Sequence, residues 1–164
     1  MSVKTTSPSP TLDLLTWDLG RAYYAYVGMA ERILVEMKLD HLIQPGMGFL
    51  LFALFAEDDR TVKDLAAQSQ LAGSTLTRLL TRMEESGLVQ RSRDPSDARL
   101  VRVRLTPIAR KIEAKCRVGL RQVADIAHAG VGKQNVRRTK ELLQNLTVAF
   151  RDEERRLAEK QAVS

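Results

Sequence analysis

The chain has 164 residues, 44% hydrophobic and 28% charged, enough for one ordinary domain with a real core and thin for two. No apolar run approaches the roughly 20 residues needed to span a bilayer, and the first ten residues lack the apolar core of a secretory signal, so a membrane protein is not expected. A lone cysteine, Cys116, cannot close an intrachain disulfide, which fits a reducing, cytoplasmic setting. The net charge is +6, and its placement matters more than its size. Between Arg60 and Lys115 there are twelve Lys/Arg against six Asp/Glu, a surplus of six, while the remainder carries fourteen of each. Such confinement points to a polyanionic partner.

Residues Met1 to Pro10 are rich in Ser, Thr and Pro and are expected to be a disordered end. From Thr11, spacings of three and four through Leu12, Leu15, Leu19, Tyr23, Tyr26, Ala30, Ile33 and Met37 predict one long amphipathic helix. It is longer than a small domain needs, so part of its apolar face is expected to meet another chain or the far end of this one. Pro45, Gly46 and Gly48 interrupt the period, and Phe49 to Phe55 is apolar nearly all round, as in a helix buried on most sides. Thr61 and Asp64 have the spacing of a capping box before a short helix.

A turn at Gln68 to Gly73 then separates that helix from a second, in which Leu76, Leu79, Leu80 and Met83 form an apolar face and Thr75, Arg78 and Arg82 point elsewhere. Gly87 stands at the usual C′ position to end it. Beyond it, Val101, Val103 and Leu105 alternate with Arg102 and Arg104, and the polar tip Asp94 to Arg99 suits a hairpin loop. Thr106 and Pro107 read as N-cap and N1 of a further helix running to about His128, with Gly130 and Gly132 as breaks. A last helix carries Val136, Leu142, Leu143, Leu146, Ala149, Phe150 and Leu157 on one side. The fold class is therefore mainly α with a small β-hairpin wing: a winged helix-turn-helix.

The chemistry of this arrangement is that of reading a duplex. An α-helix fits the major groove of B-DNA, and residues near its N-terminus reach base edges, which puts forward Ser74, Thr75, Thr77 and Arg78, with Arg82 one turn on. Arg78 is the candidate for a bidentate contact to guanine. In the wing, Arg91, Arg93, Arg99, Arg102 and Arg104 oppose only Asp94 and Asp97, so a cationic hairpin is expected, with Arg99 as the minor-groove candidate beside Arg93. Asp97 would repel phosphate, and its expected part is to pair an arginine and hold the shape of the wing.

The run from Thr61 to Thr106 resembles the MarR (multiple antibiotic resistance regulator) family of winged-helix transcription factors. The string from Thr75 to Val89, TLTRLLTRMEESGLV, and the set Asp97, Arg99, Leu105 and Thr106 carry the resemblance. Two positions depart from the family pattern: Ala72 replaces the serine that often caps the recognition helix, which moves capping to Gly73 or Ser74, and Ala109 replaces a common glycine. The resemblance implies a homodimer, interlocked through 11–45 and 107–164, that places two DNA-binding lobes, each 46–106, on a palindromic double-stranded operator. It also implies a ligand-responsive repressor, with a small-molecule effector between the first helix and the lobe. Tyr23, Tyr26, Met47 and Phe49 are the candidate ligand residues there.

An enzyme is not expected, since there are two histidines, His41 and His128, one cysteine and no phosphate-binding glycine loop. Neither a metal nor a cofactor is expected. His41 has no partner at ligand spacing, and Cys116 reads as a small buried residue rather than a redox sensor. The alternative function is a winged helix that binds protein without specific DNA binding.

Overall fold

The computed structural model describes residues 14–162. The expected disordered stretch Met1 to Pro10, and Leu12 of the first helix, lie outside the described residues. Contacts divide the chain into two compact units, one ending at Gly119 and the other beginning at Leu120.

The first unit holds helices α1 (Leu15–Glu36) and α2 (Met47–Ala56), strand β1 (Arg60–Thr61), helices α3 (Val62–Ser69) and α4 (Gly73–Glu85), strands β2 (Val89–Arg93) and β3 (Val101–Leu105), and the start of α5 (Pro107–Val131). Its core is built from Leu50, Leu51 and Leu54 of α2, Leu65 of α3, Leu76, Leu80 and Met83 of α4, Leu88 just before β2, and Val89 and Val103 of the sheet. Each of these is at most 2% exposed. Full burial of such side chains contributes roughly 1.5–3 kcal/mol apiece before entropy is charged against it. The apolar run of α2 is thus buried along Leu50, Leu51, Ala53 and Leu54, while Phe49 faces outward and Phe52 and Phe55 are half-buried.

Local chemistry sets the boundaries around α4. Asp64 N–H donates to Thr61 Oγ1 at 3.1 Å and Thr61 N–H donates back to Asp64 Oδ2 at 3.3 Å, so the capping box forms and starts α3. Helix α4 begins at Gly73 with Ala72 as an N-cap that has no side-chain bond to give. The expected transfer of capping to Gly73 or Ser74 does not occur, because both already lie within the helix. At the other end Gly87 takes a left-handed φ of 69°. Its N–H donates to Glu84 O and Leu88 N–H to Met83 O, the paired bonds of a Schellman motif, with Leu88 and Met83 buried against the stop.

The sheet is three-stranded and antiparallel in the order β1-β3-β2. In the hairpin Val89 pairs with Leu105 and Arg93 with Val101. Strand β1 adds Arg60 opposite Val103 and Thr61 opposite Arg102. A strand of two residues has no periodicity to detect, and the sequence reading has a hairpin where the protein has three strands. Thr106 caps α5 as expected, accepting from Ala109 N–H, and its hydroxyl donates to Gly87 O at 2.6 Å, tying the end of the hairpin to the end of α4.

Helix α1 meets α5 within the first unit at Gly119, where a Cβ would lie 3.0 Å from Met37 Sδ and 3.3 Å from Ile33 Cγ2. The bare glycine lets the two helices approach closely. The second unit contains the rest of α5, a 3-10 turn at Lys133–Asn135, and α6 (Val136–Ala162). Helix α5 runs through Gly130, contrary to the expected break there. An interior glycine costs about 1 kcal/mol against alanine, which a long helix absorbs. Gly132, at φ 83°, is the actual stop.

Candidate nucleic-acid interface

Four apolar side chains of α4 face the core, which leaves the opposite side of the helix to solvent: Ser74, Thr77, Arg78 and Arg82 are exposed and Thr75 is half-buried. Arg78 and Arg82, four residues apart, share one face. The Thr77 hydroxyl donates back to Gly73 O at 2.9 Å, so its proton is used within the helix and its oxygen remains an acceptor. Among the described residues no carboxylate pairs with Arg78. Arg82 Nη1 donates to Gln44 Oε1 at 3.0 Å, from a loop 38 residues away.

The wing is arranged differently. Arg91 lies against Glu84 of α4, its Nε donating to Oε2 at 2.8 Å and its backbone N–H to Oε1 at 3.0 Å, and these bonds hold the Glu84 carboxyl below its ordinary range. Arg104 pairs with Asp59, Nη2 donating to Oδ2 at 3.0 Å. The buried Asp59 Oδ1 stands 2.8 Å from Arg104 Nε without hydrogen-bond geometry, an ionic contact only. The Arg104 bond, ahead of the charge of Arg102, lowers the Asp59 pKa. Arg102 pairs with Asp94 and also donates from Nη1 to Asp59 O at 2.6 Å. Asp58 next door accepts from Leu105 N–H at 2.9 Å and pairs with Arg110 of α5.

Asp94 is the residue that shapes the wing tip. Its carboxylate, 3% exposed, accepts from Ser96 N–H at 2.8 Å, from the Ser96 hydroxyl and from Asp97 N–H at 3.1 Å, besides holding Arg102. Those bonds, Ser96 first, keep its pKa far below the usual carboxylate value. Asp97 does not pair an arginine as expected: it is exposed, and its Oδ1 accepts Arg99 N–H at 2.9 Å in a local turn. The reason is position along the hairpin: Asp94 stands two residues beyond Ser92, the strand partner of Arg102, and so reaches that arginine diagonally, while Asp97 is left at the tip. The expected cationic hairpin is corrected accordingly. Of its five arginines, Arg91, Arg102 and Arg104 are held by carboxylates, and only Arg93 and Arg99 stand exposed without one among the described residues.

The candidate ligand residues separate. Met47 is 0% exposed in the core, its Sδ accepting Gln44 N–H at 3.3 Å, so it is a packing residue rather than a lining one. Tyr23, Tyr26 and Phe49 are 60%, 44% and 61% exposed. His41 is exposed, and Cys116 is buried, its thiol pKa pushed up by that burial. The residues that sequence reasoning missed are Gln44, Asp58 and Asp59. The two aspartates mark the end of a helix in the sequence, and nothing in their spacing announces arginines more than forty residues downstream.

A helix-turn-helix flanked by a three-stranded wing has counterparts among known proteins. Residues 45–101 match the model of the MarR family. The match falls on the winged-helix lobe, which is thus similar to that family. Over 77 residues the chain is 36% identical to the uncharacterized HTH-type transcriptional regulator YsmB of Bacillus subtilis (strain 168), covering 47% of this chain and 53% of that one. The chain thus spans about half the length of that relative. In fold it is similar to the PcaV transcriptional regulator from Streptomyces coelicolor, solved in complex with its natural ligand, with a TM-score of 0.75 at 17% identity over 87% of this chain and 98% of that one. It is also similar to overoxidized AbfR bound to DNA, with a TM-score of 0.65 at 21% identity over 82% and 91% of the two chains. No helix among the described residues is long and apolar enough to cross a membrane.

Proposed function

We propose that the chain is a sequence-specific DNA-binding transcriptional regulator, a cytoplasmic repressor that binds a palindromic operator as a homodimer and responds to a small-molecule effector. The observation that carries this reading is the exposed face of α4, where Ser74, Thr75, Thr77 and Arg78 stand at the end of the helix that reaches base edges and no carboxylate neutralises Arg78. Arg93 and Arg99 supply phosphate or minor-groove contacts from the wing, with Asp97 fixing the backbone of Arg99. The family match over 45–101 and the DNA-bound AbfR fold support it.

Dimerisation is supported separately in each unit. Helix α1 has one buried residue, Ile33, and exposes Trp17, Tyr23 and Tyr24. Helix α6, 27 residues long, has none among its described side chains, and leaves Leu142, Leu143, Val148, Phe150 and Leu157 about half exposed. Helices of this length with unburied apolar stripes need another surface, and a second copy through 11–45 and 107–164 provides it. An effector fits best near Tyr23, Tyr26 and Phe49, whose apolar surfaces are open in the single chain; PcaV with its natural ligand is the precedent.

The test is selection of bound duplexes from a random pool. The expected result is one palindromic sequence, bound far more tightly than random duplex, with affinity falling steeply as salt rises. Equal binding of selected and random duplex would refute sequence-specific regulation and leave the winged helix as a protein-binding module.

A further inference from the structure

Among the described residues Arg82 is the one arginine held by an uncharged side chain alone, the amide of Gln44. Gln44 is exposed, yet its backbone is anchored. Its N–H donates to Met47 Sδ at 3.3 Å, its carbonyl accepts Met47 N–H at 3.1 Å, and Met47 is fully buried. Gly46, at φ 92°, brings the loop against α4, where a Cβ on it would meet Leu79 Cδ2 at 3.6 Å. The backbone that carries the amide holding Arg82 is thus tied to the core.

The choice of partner matters electrostatically. A carboxylate orders a guanidinium and cancels its charge, as Asp59 and Glu84 do for Arg104 and Arg91. An amide oxygen orders it and leaves the charge, with the remaining N–H groups of the fork available for a second acceptor. Arg82 sits one turn, about 5.4 Å, behind Arg78 on the same exposed face. The geometry points to Gln44 as a positioning residue that presents Arg82, still charged, to a backbone phosphate of duplex DNA beside the base-reading end of α4. This rests on the DNA-binding reading above.

The experiment uses the full-length chain and two fluorescein-labelled duplexes, the one recovered by selection and one of random sequence, titrated across a salt series. Gln44→Ala is expected to weaken the selected duplex about threefold, the scale of one modest hydrogen bond, with the ranking of single-base variants unchanged. Gln44→Glu keeps the size and the bond but neutralises Arg82, so it is expected to weaken binding about tenfold and to reduce the slope of log affinity against log salt by about one. In an Arg82→Ala background neither change at Gln44 should have an effect beyond twofold. Both positions are exposed, and unchanged thermal melting confirms the fold. If wild type binds a selected sequence while Gln44→Glu binds it as tightly with the same salt slope, or if the Gln44 and Arg82 losses add, the positioning role is wrong and the DNA-binding reading stands. If wild type binds neither duplex, both fall.

Discussion

Helix α4 and the wing look alike in the sequence, each a run of arginines beside a few polar residues, and the structure treats them in opposite ways. On α4, Arg78 has no carboxylate partner and Arg82 is held by an amide. In the wing, Arg91, Arg102 and Arg104 are taken up by Glu84, Asp94 and Asp59. Counting charge along the chain therefore overstates what can meet a phosphate. Glu57, Asp58 and Asp59 lie just before the basic window that opens at Arg60, and including them lowers its surplus from six to three. A guanidinium is available to DNA only where the fold leaves it unneutralised, and here that favours the helix over the hairpin strands.

The largest expected effect separates reading from holding. Arg78→Ala is expected to lower affinity for the selected duplex about tenfold to a hundredfold and to flatten discrimination at one base pair, measured by anisotropy on single-base variants. Unchanged specificity would remove Arg78 from base reading and shift attention to the wing.

Next comes the carboxylate that shapes the wing. Asp94→Asn keeps the side chain's size but weakens its hold on Arg102 and on the Ser96 and Asp97 amides, so a lower melting temperature and severalfold weaker DNA binding are expected. The pH dependence has a definite sign. The folded-state pKa of Asp94 is depressed, so its stabilisation is full above the unfolded value of about 3.9 and drains away as pH falls below it. The melting difference between wild type and Asp94→Asn should be constant near neutrality and shrink below about pH 4. A difference that persists in acid would mean that Asp94 acts by packing rather than charge.

Much of the lobe was legible because its signals are local. The Thr61–Asp64 box, the stop at Gly87 and the apolar face of α4 each depend on residues within one or two turns, and each is where the spacing puts it. The missed features span long separations. Asp59 and Arg104 are 45 residues apart, Asp58 and Leu105 47, and Gln44 and Arg82 38. No periodicity links such pairs. Strand β1 escaped for a related reason: two residues become a strand only when β3 is beside them. Asp97 and Asp94 look alike in the sequence, and only the fold shows which meets an arginine: Asp94, two residues beyond Ser92, the strand partner of Arg102. Met47 enters as an effector candidate only through the family resemblance, and in the fold the turn at Gly46 carries it into the core, where it is fully buried.

At the wing tip Arg99 is exposed and without a carboxylate, so it resembles Arg78 in charge but not in setting, since it rides on a loop rather than a helix. Arg99→Ala is expected to weaken all duplexes alike by a few fold and to reduce the salt slope by about one. A loss confined to one sequence would give the wing a reading role of its own.

The smallest effect is the most direct trial of the contrast, because it runs toward tighter binding. Asp59 holds Arg104 by its side chain and lies near Arg102 as well. Asp59→Asn removes the charge and, because Asp59 sits at a φ of 59° that asparagine also tolerates, leaves the backbone conformation accessible. Arg104, half exposed, then faces solvent with its charge uncancelled. If carboxylate pairing is what keeps Arg104 from contributing, this variant should bind random duplex up to a few fold more tightly, with a steeper salt dependence, while melting at a slightly lower temperature. Tighter binding without a change in salt slope would point to altered wing geometry instead. Unchanged binding and slope would mean that Arg104 does not reach a phosphate even when released, and position, not charge pairing, would then be what divides the helix from the wing.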